Sequence, residues 1–283
     1  MERRPFSEIL KEAKVDIQTE YRRLYDLFYT EEHYVVDFET CNIRKYVSLC
    51  FNQFKIRGTC LSLDDFDRTH KFNFSEYPPR DFDINYLLLF CEYSYNLVSA
   101  SKTANTSKFL SLLVEAMIEP INLYIEQVDK VIEKISYIKN EKDGIVHFVP
   151  RSQTAISVAE IIDPELSFDV IEYNHHSMNG DIERKTRILE ALAKRLEPKR
   201  LKLREISNDL EHNLFDLYNN FHLRHNNEEG RFKKPYVVNM SNEEREPYYD
   251  DIYQMSLLAF LLLDNEDRKE RITELLLNIN RKQ

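Results

Sequence analysis

Glycine is nearly missing from this chain, which has only Gly58, Gly144, Gly180 and Gly230 in 283 residues. Phosphate-cradling loops need glycine at several neighbouring positions, and none is present; G-x-S-x-G, H-E-x-x-H and zinc-spaced cysteines are missing too. A P-loop enzyme, an α/β-hydrolase and a zinc protein are therefore excluded as expectations. Proline is scarce as well, with nine residues, so the chain has few breakers and reads as long helices with few tight turns. The four cysteines, Cys41, Cys50, Cys60 and Cys91, lack C-x-x-C or disulfide-dense spacing and read as buried thiols of a reducing cytosol. The start MERRPFSEIL carries no apolar run behind its arginines and predicts no signal peptide. Apolar stretches are either broken by Glu115 and Glu119 or, at 257–263, too short to span a bilayer, so no membrane partner is expected.

What is present is a globular composition, 42% hydrophobic and 31% charged, with 17 Tyr and 17 Phe as bulky core material. Net charge is -10, which opposes non-specific binding of nucleic acid by the whole molecule. Residues 183–234 run the other way, with 13 Lys and Arg against 9 Asp and Glu, and this local excess points to a polyanion or an acidic partner.

The fold class expected is mainly α, as helical bundles with one small β-hairpin near the middle. Helical spacing marks 5–29, 43–54, 83–100 and 107–135, the last containing Pro120. Residues 59–74 read as loop. Asp143-Gly144 between apolar runs is a hairpin pattern, and it divides a helical region, 1–139, from a C-terminal bundle, 140–283. In that bundle Asp163-Pro164 starts a helix, 174–180 is a solvated loop, Asp181 caps the next helix and Pro198 breaks it. Ser241-x-x-Glu244 is a capping box before a buried helix, 248–263, and a separate amphipathic helix covers 266–279.

Residues 203–226 read as one helix. Leu203, Ile206, Leu210, Leu214, Leu217 and Phe221 share one arc, with Tyr218 at its edge; Asn208, His212, Phe215, Asn219, His222 and Asn226 share another of roughly 80°. A solvated stripe normally carries Lys and Glu, and this one has Asn, His and a Phe. It is expected to face solvent, a second subunit or a polar groove formed with Asn227 and Glu229.

The sequence LRHNNEEG at 223–230 resembles the R-x4-6-H motif of HEPN proteins, a superfamily of all-helical bundles that includes RNA-cleaving toxins and phage-defence factors. Arg224 matches the motif Arg and Gly230 the trailing Gly, while Glu229 stands where the family has His. The resemblance implies a metal-independent endoribonuclease acting as a dimer through 203–227, with no cofactor. Arg224 would be the cation that stabilises the phosphorane, and His225 or His222 the acid/base. A non-catalytic helical interaction module is the alternative. A third reading is a carboxylate/His metal bundle, since Glu172-x-x-His175, Asp209-x-x-His212 and Asp67-x-x-His70 have the i, i+3 spacing that turns two ligands the same way on a helix.

Overall fold

The computed structural model describes residues 16–34, 40–103, 111–221, 223, 237 and 239–281. Among these the chain is mainly helical, with two small two-stranded sheets. It separates into two compact units, Met1–Phe148 and Val149–Gln283, each with a hydrophobic core of its own.

In the first unit, α1 (Ile17–Tyr25) begins where Asp16 accepts hydrogen bonds from the Gln18 and Thr19 amides, and it runs into a π-turn at Asp26–Thr30. A two-residue ladder follows, β1 (His33–Tyr34) antiparallel to β2 (Thr40–Cys41), with His33 opposite Cys41. Next come α2 (Ile43–Cys50), capped by Asn42, and α3 (Leu63–His70). The expected loop at 59–74 thus contains a helix. Ser62 caps it through the Asp65 amide, Asp64 and Asp65 favour its positive end, and Leu63 and Phe66 bury one turn apart.

The helix α4 (Ile84–Lys102) is apolar on most of its circumference and forms the axis of this core. Tyr21, Phe74, Tyr86 and Phe28 meet Phe90 or one another edge to face, which is where much of the aromatic content goes. α5 (Ser111–Lys134) carries Pro120 and sends the buried Tyr124 hydroxyl to Ser94 of α4, 2.6 Å away.

The strands β3 (Tyr137–Lys142) and β4 (Ile145–Pro150) form the expected hairpin. Asp143 and Gly144 both take positive φ, 55° and 78°, as a two-residue turn between right-twisted strands requires. A division at 139/140 would sever this hairpin. Its second strand is instead fastened to α4: the Asn96 side chain both donates to and accepts from the Val146 backbone, and the Phe148 amide donates to Glu92. Residues 137–148 accordingly belong to the first unit.

The second unit contains α6 (Gln153–Ile161), α7 (Pro164–Glu172), α8 (Ile182–Leu196), α9 (Arg200–Ile206), α10 (Asn208–Asn220) and α11 (Asn242–Arg281). Pro164 stands at the first position of α7, and Asp181 caps α8 through the Arg184 amide. A 3-10 turn at Glu197–Lys199 contains Pro198 and separates α8 from α9. Ser241 and Glu244 exchange the two hydrogen bonds of a capping box at the start of α11.

Three helix limits differ from expectation. The helix expected over 5–29 does not run through Asp16, whose non-helical backbone (φ -81°, ψ 87°) caps α1. The single helix over 203–226 is broken at Ser207, whose extended backbone (φ -153°, ψ 93°) splits it into α9 and α10, and α10 ends at Asn220. Conversely, 248–263 and 266–279 are one continuous forty-residue helix. No glycine or proline interrupts the join, and Arg268 pairs with Asp264 across it at 2.6 Å.

A Cβ at Gly144 would meet no atom within 4 Å, so the cost of a side chain there is backbone strain alone. Gly144→Ala is expected to destabilise the protein by about 1 kcal/mol in urea unfolding. Asp143→Asn, which tolerates the same conformation, should change the midpoint little.

Candidate functional site

The α8 sequence turns Ile182, Lys185, Leu189, Leu192 and Leu196 to one buried face, so a lysine sits on an apolar stripe. Its ammonium, 4% exposed, donates to Glu246 Oε1 at 2.7 Å and Asp250 Oδ1 at 2.8 Å, both on α11. It also lies 5.2 Å from the centre of the Tyr173 ring. Around it Tyr173 donates to Asp250, and the Gly180 amide donates to Glu246. Tyr253 stacks on Tyr173 with centroids 4.0 Å apart, donates to the Val170 carbonyl and accepts from Asn174. Burial alone would raise the Glu246 carboxyl, but the Lys185 ammonium and the Gly180 N–H hold it below its ordinary value. Burial and the neighbouring Asp250 push the Tyr173 hydroxyl far up, so it stays a donor.

Where α9 turns into α10, Glu211 is buried. Arg204 donates to it from Nε at 2.9 Å and from Nη2 at 3.1 Å, and Arg200 donates through Nε while its guanidinium covers the Phe215 ring. The Arg204 hydrogen bonds, with Arg200 behind them, hold the Glu211 carboxyl down at about 2 against the effect of burial. This clamp joins the two helices on either side of Ser207.

The core side of α10 differs from the expected one. Glu211, Leu214, Phe215 and Tyr218 form the core side of α10, so Phe215 belongs to the core and not to the polar stripe. Leu210 and Leu217 are only partly covered. Asn208, His212 and Asn219 are exposed on the other side, His212 lying 3.6 Å from Asp216. His222, Arg224, His225, Asn226, Asn227 and Glu229 lie outside the described residues. Leu223, just before the motif Arg, is buried, and its amide donates to the Tyr218 carbonyl.

No family model, curated protein or solved structure matches the chain. The site is therefore read from its chemistry alone.

The three acid/His pairs are put to different uses. Asp67 accepts from Tyr93 at 2.8 Å and from Arg44 at 2.7 Å, whereas His70 is exposed against the Phe66 and Phe72 rings. Asp209 and His212 are both exposed. Glu172 and His175 do converge, Nδ1 to Oε1 being 4.0 Å, and both are buried, so His175 is not on a solvated loop. That carboxylate already receives Arg184, and His175 Nδ1 is within 2.7 Å of Ser177 Oγ. Seven of the nine described cations of 183–234 are spent in the same way. Arg184, Lys185, Arg187, Arg195, Arg200, Lys202 and Arg204 are all ion-paired. Five of their carboxylate partners (Asp163, Glu172, Glu246, Asp250 and Asp267) come from outside the stretch and more than offset its excess of four.

These contacts share one structural result, the seating of α11. Lys185 holds its start, Tyr218 bonds Ser256 in its middle, and Lys202 bonds Asp267 further on. Its inner face carries Tyr249, Ile252, Tyr253, Leu257, Phe260 and Leu263 into the core. On the outer face Leu258, Ile272, Leu275, Leu276 and Ile279 are between 47 and 58% exposed. Ile272, Leu275, Leu276 and Ile279 fall within an arc of about 100°, and Leu258 projects along the same line. These apolar residues, with Asn265 and Arg268 between Leu258 and Ile272, are the feature of this unit most suited to binding. The signal was present in the amphipathic spacing of 266–279; its continuation back to Leu258 was hidden by the expected break.

Replacing Lys185 by Met leaves two carboxylates without their cation. We expect a loss of about 2–3 kcal/mol in urea unfolding, less than for a fully buried pair because both acids reach solvent. Lys185→Met with Glu246→Gln and Asp250→Asn should regain more than half of it. For Glu211, a depressed carboxyl contributes stability that is complete above the unfolded value of about 4.3 and is lost as pH falls through about 2. Between pH 5 and 2 the wild type should therefore lose urea stability more steeply than Glu211→Gln. Parallel pH profiles would remove Glu211 as the cause.

Proposed function

We propose that this chain is a non-catalytic helical interaction module whose binding surface is the outer face of α11. The observation that carries this reading is the exposure of Leu258, Ile272, Leu275, Leu276 and Ile279 along one side of a helix that is held in the core as far as Leu263 and is exposed at every position from 271 to 280. Its burial against a partner is favourable by the ordinary hydrophobic term, about 25 cal/mol per Å2 of apolar surface. The pairing of seven described cations in 183–234 supports a protein partner over a nucleic acid, because their field is already neutralised at short range.

A photo-activated phenylalanine analogue in place of Leu275 tests the reading in cells. Irradiation should give a discrete protein adduct that survives ribonuclease and disappears when Ile272→Glu is added. Absence of any adduct, or one removed by ribonuclease, sinks it.

The second reading is the RNA-binding or RNA-cleaving one, and it rests on the resemblance at 223–230. In it Arg224 is the cation and His225 or His222 the acid/base. Purified wild-type protein should then cleave single-stranded RNA in the presence of a chelator, with Arg224→Ala and His225→Ala lowering the rate at least about 100-fold. Equal background rates in all three would remove it.

A further inference from the structure

The spacing along the outer face of α11 is a heptad. Leu258, Asn265, Ile272 and Ile279 recur every seven residues, and Leu261, Arg268 and Leu275 fall three places after the first three of them. These are the a and d positions of a coiled-coil seam. Six of these are exposed, and Leu261 is half-buried, packed in part against the core of its own unit. Two polar residues, Asn265 and Arg268, interrupt it in the middle, with apolar residues on either side.

We propose that the occupant of this seam is a second copy of the same chain, its α11 running antiparallel across a two-fold axis between Glu266 and Asp267. This rests on the interaction-module reading above and names its partner. The charges decide both occupant and direction. With the axis there, Leu258 of one copy meets Leu275 of the other, and Leu261 meets Ile272. Asn265 then meets Arg268, whose guanidinium donates to the amide oxygen. The flanking g positions bring Asp264 to Arg271 on both sides of the axis, and such flanking pairs set partner and orientation in coiled coils. Arg268, held by Asp264 of its own chain at 2.6 Å, keeps further guanidinium donors for the Asn265 oxygen in the antiparallel layer, whereas the parallel alternative stacks two such ion pairs on each other and brings Asn265 against itself. A helix with no such polar layers would lack this self-match.

The antiparallel arrangement also covers what the isolated unit leaves open. The exposed turns around Ile272 and Leu275 lie on the outer surface of the partner's bundle near Leu258 and Leu261, while the inner face of each helix keeps its own core. No core residue has to move, so the free chain is already in its binding conformation.

Sedimentation of the full chain, with cysteine cross-linking, tests this. The wild type should sediment as a dimer at roughly 100 µM and dissociate on dilution. Ile272→Glu with Leu275→Glu should weaken it at least about 100-fold with unchanged circular dichroism, since both side chains face solvent in the monomer. Leu258→Cys with Leu275→Cys should give a disulfide-linked dimer under mild oxidation, and neither single variant should. A monomer at every concentration, or a dimer indifferent to the glutamates, overturns the proposal. Cross-linking by Ile272→Cys alone overturns the antiparallel arrangement and the proposal with it. If the chain is monomeric but the photo-adduct at Leu275 contains a different protein, the second copy is rejected and the interaction module stands. If there is neither dimer nor adduct, both fall.

Discussion

The burial of one ammonium group constrains the second unit more than any other contact. Lys185 lies on the apolar face of α8, and a charge taken out of water is tolerated only where opposite charge and hydrogen bonds replace the solvent. Glu246 and Asp250, one turn apart on α11, do this, and Tyr173 and Gly180 take up part of the remaining acceptor capacity. The rotation of α11 about its own axis follows from that requirement. A turn of the helix by one residue would remove the carboxylates from Lys185 and also take Tyr253 from the Val170 carbonyl and Ser256 from the Tyr218 hydroxyl. Nonpolar packing alone tolerates sliding; this set of directional bonds does not.

Fixing the rotation of α11 decides which of its side chains meet solvent. Over 249–263 the core covers one face and leaves Leu258 outside, whereas 271–280 lies beyond the core and is exposed all round, Leu277 included. The outward direction of Leu258 is thus linked to ion pairs on the other side of the same helix. The clamp of Arg200 and Arg204 on Glu211 has a comparable role one layer away, holding the turn at Ser207 so that α9 can reach α11 through Lys202. Charge among the described residues of this unit is used for internal register.

The first unit reaches the same end with less charge. Its axis is α4, apolar enough to be covered on most sides, and its specificity comes from aromatic edges and a few buried hydroxyls such as Tyr124 on Ser94. Asn96 and Glu92 tie the hairpin to that axis through backbone groups, so the β-turn at Asp143-Gly144 is part of the helical core's boundary and not a free linker.

What the sequence by itself determined is whatever depends on neighbours in the chain. Caps at Asp181 and Ser241, proline at the start of α7, the break at Pro198 and the positive-φ turn at Asp143-Gly144 are local energies, readable from spacing, whereas the cap at Asp16 lay inside the helix expected over 5–29. The α-helical class followed from the scarcity of breakers. The break at Ser207 was not readable, because Ser is only mildly unfavourable in a helix and the turn is stabilised by Glu211 receiving arginines from the preceding helix. The core face of α10 is set by its packing, which takes Phe215 and Glu211 inside and leaves Leu210 and Leu217 half-covered. Lys185 was legible in principle as a cation among Ile and Leu at helical spacing, but its partners lie more than sixty residues away. The outward face of α11 was likewise decided only in three dimensions, since an apolar residue is exposed or buried according to which other surfaces reach it, and that is a property of the packed chain.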